Sequence, residues 1–297
     1  MRVTSNYYAQ ILNSISATQK SEQTDIQQLA TSKRVNRPSD DPTAAAQEVG
    51  NLASTADAAQ YEQNISSAQS LLQSASSALA LVVTALTSAI TQGVEAGNGT
   101  LMSAQMTQLA SSISGVRDQV IGLANTSVQG VYLFGGTASG NPPFQLNAAP
   151  STGVSYVGNS SVNSIPVGNN QSVQSNVPGD QIFAAATGNV MQSLTDLINA
   201  VQANSATAIQ TATAEVQSAV STVSLQQQIY GSATNQLTAD NTSLQSETVS
   251  LKSQENSLVG ADIATIATNL TLAQTSQQAA LEAMAKVAPM SLLNYLQ

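Results

Sequence analysis

The chain has 297 residues, with no cysteine, no histidine, 3% aromatic residues and only 8% charged residues. Without cysteine there are no disulfides or thiolate metal sites, and without histidine the commonest general base and metal ligand are missing. A net charge of −9 argues against nucleic-acid binding, which requires basic patches. We therefore expect no catalytic residue, no cofactor and no metal site.

The first predicted helix covers about residues 4–33 and ends before Pro38, because the residue preceding a proline is disfavoured in helical conformation. Asp41 is placed as an N-cap and Pro42 as the first residue of a second helix. A metal or acid–base role for Asp40 and Asp41 is the weaker alternative. The basic residues 33, 34 and 37 either interact with the helix dipole at the C-terminal end of the first helix or serve subunit contacts.

The second helix is predicted to reach about residue 96, where the Gly97-Asn98-Gly99 break follows. Its apolar stripe alternates large residues with alanine, which lets a neighbouring helix approach closely. The stripe consists of Ile65, Ala68, Leu72, Ala75, Leu79, Val82, Leu86 and Ala89. A third helix, with a stripe from Met102 to Leu123, is predicted to end near Gly130 and to form an antiparallel hairpin with the second.

Residues 131–187 differ in texture, with short β-type runs among Gly, Pro and Asn, and predict a small β-rich insertion. Helix returns near Asn189 and carries a heptad stripe from Ile209 to Leu258. Gly260 is predicted to break this helix and Asp262 to cap the last one. Pro289 is predicted to kink or end that last helix.

The last helix has apolar or small residues at three- and four-residue steps, interrupted by Gln277, which predicts one buried face. Its stripe consists of Ile263, Ile266, Leu270, Ala273, Ala280, Met284 and Val287. The first helix offers a partner stripe of Tyr8, Leu12, Ile15, Ile26 and Leu29, interrupted by Gln19 and Glu22. We expect the two ends to pair with each other and with other copies, and to be labile in the monomer because polar positions weaken the pair.

The predicted fold is mainly α: an elongated helical bundle or coiled coil with nested terminal helices and a small β-rich inserted domain. We expect a terminal-helix domain of residues 1–41 with 262–297, a rod domain of 42–130 with 188–261, and an outer domain of 131–187. The beginning of the chain lacks the apolar core of a cleaved signal peptide, and the most apolar run, residues 78–86, is too short to span a bilayer. These features predict no membrane partner.

Several segments together resemble the flagellin-like family. Residues 29–42 (LATSKRVNRPSDDP), 60–64 (QYEQN), 124–125 (AN), 130–136 (GVYLFGG) and 291–296 (SLLNYL) carry the resemblance. The PSDDP form is closer to the hook-associated junction proteins of that family than to flagellin itself. Ser32 departs from the pattern, which usually has glycine after Thr31.

The resemblance implies an exported structural component of the bacterial flagellum, at the junction between hook and filament, with no enzymatic activity. The implied partners are further copies of the chain in a ring, neighbouring hook-associated protein 1 and flagellin, and a cytoplasmic export chaperone. The implied route is the flagellar type III apparatus, which delivers the protein outside the cell. The resemblance also implies terminal helices inside the flagellar tube and a β-rich domain on its outside.

The residues predicted to serve subunit assembly lie at both ends of the chain. They are Tyr8, Leu12, Ile15, Ile26, Leu29, Arg34, Arg37, Asp40, Asp41, Ile263, Ile266, Leu270, Met284, Val287, Leu292, Leu293 and Leu296. Two alternatives stay open at this point: a filament subunit, that is, flagellin, and a coiled-coil stalk or signalling protein. An enzyme is more distant, because no paired catalytic site stands out.

Overall fold

A computed structural model describes the backbone of residues 4–146, 153–186 and 188–293, and the side chains of residues 9–146, 153–186 and 188–285. The described chain is mainly helical with a strand-containing insertion, which confirms the predicted fold class. The elements are α1 (Thr4–Thr31), α2 (Pro42–Gly97), α3 (Ser103–Ala124), β1 (Ser127–Val128), β2 (Val131–Tyr132), β3 (Phe144–Leu146), β4 (Val154–Tyr156), β5 (Ser164–Gly168), β6 (Gln171–Gln174), α4 (Gly179–Phe183), α5 (Val190–Gln202), α6 (Ala206–Val259) and α7 (Ile263–Leu293).

The chain divides into two compact units. Unit 1 consists of residues 1–57 and 246–297, and unit 2 of residues 58–245. Unit 1 therefore holds α1, α7, the start of α2 and the end of α6, whereas the insertion belongs to unit 2.

Unit 2 has an apolar helical core. Every member of the predicted α2 stripe from Ile65 to Ala89 is at most 3% exposed, which confirms the stripe and its phase. The core also includes faces of α3, α5 and α6, and α3 packs on α5. Gly93 marks a close approach, since a Cβ there would lie 2.6 Å from Oγ1 of Thr213 and 3.2 Å from Leu197. Small residues on α2 thus allow large residues of neighbouring helices to fill the core.

Three helix ends differ from the sequence prediction. The third helix ends at Ala124 rather than near Gly130, because β1 and β2 form a tight hairpin there with Gln129 and Gly130 at positive φ. A break at Asn204, also at positive φ, separates α5 from α6. Pro289 does not end α7, which continues to Leu293.

The insertion consists of three antiparallel two-stranded hairpins, β1–β2, β3–β4 and β5–β6. Its core is aromatic: the rings of Phe134 and Phe144 each lie 5.3 Å from that of Phe183, in edge-to-face geometry. Gly136 has a positive φ of 68°, and a Cβ there would lie 2.1 Å from the carbonyl oxygen of Asn159. Gly136 therefore lies in a tight turn that no residue with a side chain fits.

Helix α2 is long and apolar enough, by length and composition, to cross a membrane. Its apolar stripe is buried in unit 2, as expected for the core helix of a helical bundle. Length and composition are therefore weak evidence for a membrane span.

Candidate functional site

The two ends of the chain pack against each other in unit 1, where α1 and α7 run antiparallel. At one end of the pair the amide of Ala261 donates to the carbonyl oxygen of Ser32 over 3.1 Å. Further along, Nε2 of Gln274 lies 3.5 Å from Oε1 of Glu22, at the limit of a hydrogen bond. The pairing of terminal helices expected from the sequence is therefore present.

The stripe on α7 has the predicted phase. Ile266 is 7% exposed, and the positions that follow it at steps of four and three are half-buried. They are Leu270, Ala273, Gln277, Ala280 and Met284. Ile263 is 44% exposed, so its predicted place on the buried face is wrong. It lies in the first turn, where Asp262 caps the helix and Ile266 is the first residue to turn inward.

The stripe on α1 is partly different from the prediction. Ile15 is buried at 8% exposure and Leu29 is half-buried, but Leu12 and Ile26 are 52% and 49% exposed. The less exposed positions advance by steps of four and three from Ile11. They are Ile11, Ile15, Thr18, Glu22, Asp25 and Leu29. The face of α1 toward α7 is therefore half polar, and two of its largest apolar side chains point elsewhere.

Some residues predicted for assembly lie outside the described part. The side chains of Tyr8, Val287, Leu292 and Leu293 are beyond the described side chains, and Leu296 lies beyond the described backbone. Their predicted roles stay predictions.

The turn after α1 docks on the end of α6. Ser32 adopts φ 57°, a left-handed conformation in which the usual glycine of the resemblance costs less. The reversal brings Lys33 into a β-bridge with Gly260, and the amide of Arg34 donates to the carbonyl oxygen of Val259 over 2.7 Å. The sharp end of the first helix is thus retained despite serine at this position.

The basic side chains of this turn form a small ion-pair cluster. Nζ of Lys33 lies 2.5 Å from Glu48 and 2.9 Å from Glu255, and these hydrogen bonds raise the pKa of Lys33. The guanidinium of Arg34 lies 3.2 Å from Asp41 and donates to the carbonyl oxygen of Leu258 over 3.0 Å. Glu48 and Glu255 were missed by the sequence reasoning, since nothing local marks them.

The two adjacent aspartates cap backbone amides. Oδ2 of Asp40 accepts from the amides of Asn36 and Arg37 over 3.1 and 2.9 Å. Oδ1 of Asp41 accepts from the amide of Ala44 over 3.0 Å, and this bond, with Arg34 second, lowers the pKa of Asp41. The N-cap interpretation is confirmed.

The guanidinium of Arg37 is exposed and makes no ion pair with any described residue. Across the described residues, no group of three or more Asp or Glu side chains converges to hold a metal. The interactions seen among the described side chains of unit 1 are helix packing, capping hydrogen bonds and ion pairs within the chain.

Comparison with known proteins gives two family matches. Residues 3–139 match the bacterial flagellin N-terminal helical region, and residues 213–296 match the bacterial flagellin C-terminal helical region. The chain is 35% identical to flagellar hook-associated protein 3 of Escherichia coli (strain K12) over 166 residues, which are 56% of this chain and 51% of the relative. It thus spans about half the length of the curated relatives it matches.

Solved structures show the same fold at lower identity. FlgL of Bacillus cereus superposes with a TM-score of 0.60 at 22% identity, over 70% of this chain and 99% of that one. The flagellar junction protein FlgL of Legionella pneumophila superposes with a TM-score of 0.60 at 16% identity, over 72% of this chain and 100% of that one. Because the two family regions together take up more than half of the residues, the chain belongs to the flagellin family of bacterial flagellar proteins.

Proposed function

We propose that this protein is a non-enzymatic structural subunit of the junction between the flagellar hook and the filament. The observation that carries the proposal is the antiparallel pair of α1 and α7, the two ends of a chain that resembles hook-associated protein 3 over 166 residues.

The described faces of the pair support contacts with other copies. Leu12 and Ile26 on α1, and Leu272 and Leu281 on α7, are each about half exposed or more. Burying one such side chain contributes about 1.5–3 kcal/mol before entropy losses. Repeated over many copies in a ring, these contacts hold a subunit that pairs only weakly with itself.

We further propose the three-part division of the chain described above, with the terminal helices inside the flagellar tube and the insertion on its outside. The partners in this arrangement are hook-associated protein 1 on the hook side and flagellin on the filament side. Export through the flagellar type III apparatus, with a chaperone on the C-terminal helices, is the route that the family resemblance implies. Blocking that apparatus should then retain the protein in the cell.

Deletion of the gene tests the junction role. The expected phenotype is intact hooks, no filaments and flagellin released into the medium, all reversed when the wild-type chain is restored. Normal filaments in the deletion strain would contradict the proposal.

A substitution on the buried face of α7 tests the role of the helix pair. Leu270→Asp places a charge on a half-buried position and should abolish incorporation into flagella, while hydrogen exchange shows that the helices of unit 2 remain protected. Leu270→Met keeps an apolar side chain of similar volume and should incorporate normally. Equal incorporation of both variants would exclude this face from assembly.

A filament subunit is the second candidate, because both matched family models describe regions of flagellin. The two functions differ in elongation: flagellin added to filament seeds extends them, whereas a junction subunit does not. Electron microscopy of seeds incubated with the purified chain distinguishes them.

A further inference from the structure

Asp25 is a buried carboxylate in the α1–α7 pair. The residue is 9% exposed, and its Oδ2 atom has no hydrogen-bond partner among the described residues. It occupies a position of the α1 stripe that the sequence reasoning did not include, one step after Glu22. Burial of a charged oxygen without a partner is unfavourable, so this position weakens the pair in the isolated chain.

Among the described residues, no cation forms an ion pair with Asp25. The segment of α7 from residue 263 to residue 281 contains no charged residue. Lys20 lies five residues earlier on α1, about 140° around the helix, and is exposed. Lys33 is already bound to Glu48 and Glu255.

Unpaired cations are available on the same unit of another copy. Lys20, Arg37 and Lys252 are exposed and make no ion pair with any described residue, and all three lie in unit 1. The chain thus presents a carboxylate that lacks a cation and cations that lack a carboxylate. In an assembly of identical copies, the carboxylate of one copy can pair with a cation of another.

A groove beside Asp25 gives a second helix room to approach. It has a volume of about 360 Å³ and runs between α1 and α7, with mostly small or polar side chains on its walls. Ser21, one turn before Asp25, lines it, together with Ala17, Ala273 and Ser276. Small side chains allow helix axes to approach closely, so a long basic side chain on a second copy could reach the end of this groove.

We propose that Asp25 is an assembly residue: its carboxylate is completed by a Lys or Arg side chain from a second copy of this chain. This inference rests on the proposed function. Asp25 then acts with opposite sign in the two states, since it destabilises the helix pair of the isolated chain and stabilises the assembled one. A residue with a purely structural role would act with the same sign in both.

Asp25→Asn tests this inference, because it removes the charge at nearly constant shape. In the isolated full chain, hydrogen exchange across residues 266–280 should slow by about tenfold, whereas the amount of chain in purified flagella should fall by about tenfold. Glu282→Gln on the exposed side of α7 is the matched control and should change neither quantity. Faster exchange in Asp25→Asn, or incorporation equal to wild type, would overturn the inference.

Charge exchange identifies the partner. Asp25→Lys should block incorporation, and one reversal of a basic residue in the same chain should restore at least part of it. The reversals to combine are Lys20→Asp, Arg37→Asp and Lys252→Asp. If none restores incorporation, these unpaired basic residues of a second copy do not complete Asp25 and the inference is overturned. A wild-type chain that fails to restore filaments in the deletion strain contradicts the proposed function instead, so the two failures are distinguishable.

Discussion

One isoleucine and one leucine on α1 distinguish the observed pairing of α1 with α7 from the predicted pairing. Ile15 is 8% exposed, whereas Leu12, on the same predicted stripe, is 52% exposed. Truncation of a buried isoleucine costs about 2–5 kcal/mol, and a site between only two helices can relax, which favours the lower end. We therefore expect Ile15→Ala to weaken the α1–α7 pair by about 2 kcal/mol and Leu12→Ala by less than about 1 kcal/mol.

Hydrogen exchange of the isolated chain measures this difference. Since about 1.4 kcal/mol corresponds to a factor of ten, Ile15→Ala should reduce protection across α7 by up to about 30-fold and Leu12→Ala by less than about 5-fold. Exchange in unit 2 serves as an internal reference and should not change. Equal loss of protection in the two variants would refute the observed phase of the stripe and restore the predicted one.

Three further predictions concern a turn, a cap and a buried phenol. Ser32→Gly should stabilise unit 1 by up to about 1 kcal/mol in urea unfolding, because glycine relieves the positive φ, whereas Ser32→Val should destabilise it. Hydrogen bonds from the hydroxyl and the amide of Thr265 lower the pKa of Asp262 below its usual 3.8. The first turn of α7 should therefore lose protection from hydrogen exchange as the pH falls below about 4, and Asp262→Asn should abolish this pH dependence. Burial raises the pKa of Tyr230 to about 12, so the protonated phenol stabilises unit 2 fully below pH 10. This stabilisation, about 2–3 kcal/mol, should be lost as the pH rises from 10 to 12. Tyr230→Phe should flatten the decline of the thermal unfolding temperature over that range.

The sequence predicted α2 and α7 well because their stripes offer one phase. On α2, large residues alternate with smaller ones, mostly alanine, over eight positions, and all eight are buried. On α7 the interruption at Gln277 is polar but keeps the step, so the helix turns the same side inward from Ile266 to Met284. Periodicity of this kind fixes which residues are buried before any partner is known.

The phase of α1 could not be read from the sequence in the same way. Leu12 and Ile26 are large apolar residues, so a stripe chosen by hydrophobicity includes them although they point away from α7. The observed face instead carries Thr18, Glu22 and Asp25. A polar helix–helix interface cannot be predicted from the pattern of hydrophobic residues. It is identified only once the partner helix is placed against it.

Contacts between distant parts of the chain were also beyond prediction. Lys33 and Glu255 are 222 residues apart, and no local pattern links them. By contrast, the caps at Asp41 and Asp262 were predicted, since each bonds amides two or three residues later in the chain. The separation of two residues in the sequence, more than the type of interaction between them, decided which contacts of the site could be predicted.

The polar face of α1 explains why the terminal helices and unit 2 should differ in stability. Among the described side chains of α1 and α7, Ile15 and Ile266 are the buried apolar ones, whereas eight apolar positions of the α2 stripe are at most 3% exposed. Local opening is cheap where few apolar contacts are lost, so α1 and α7 should exchange amide hydrogens well before α2 and α3. Replacing Thr18 or Asp25 by leucine would strengthen the isolated pair, but it would also remove the polar groups available to neighbouring copies. Under the proposed function, a terminal pair that is weak alone and completed by neighbours would become ordered where the subunit assembles, and its stability would then depend on incorporation.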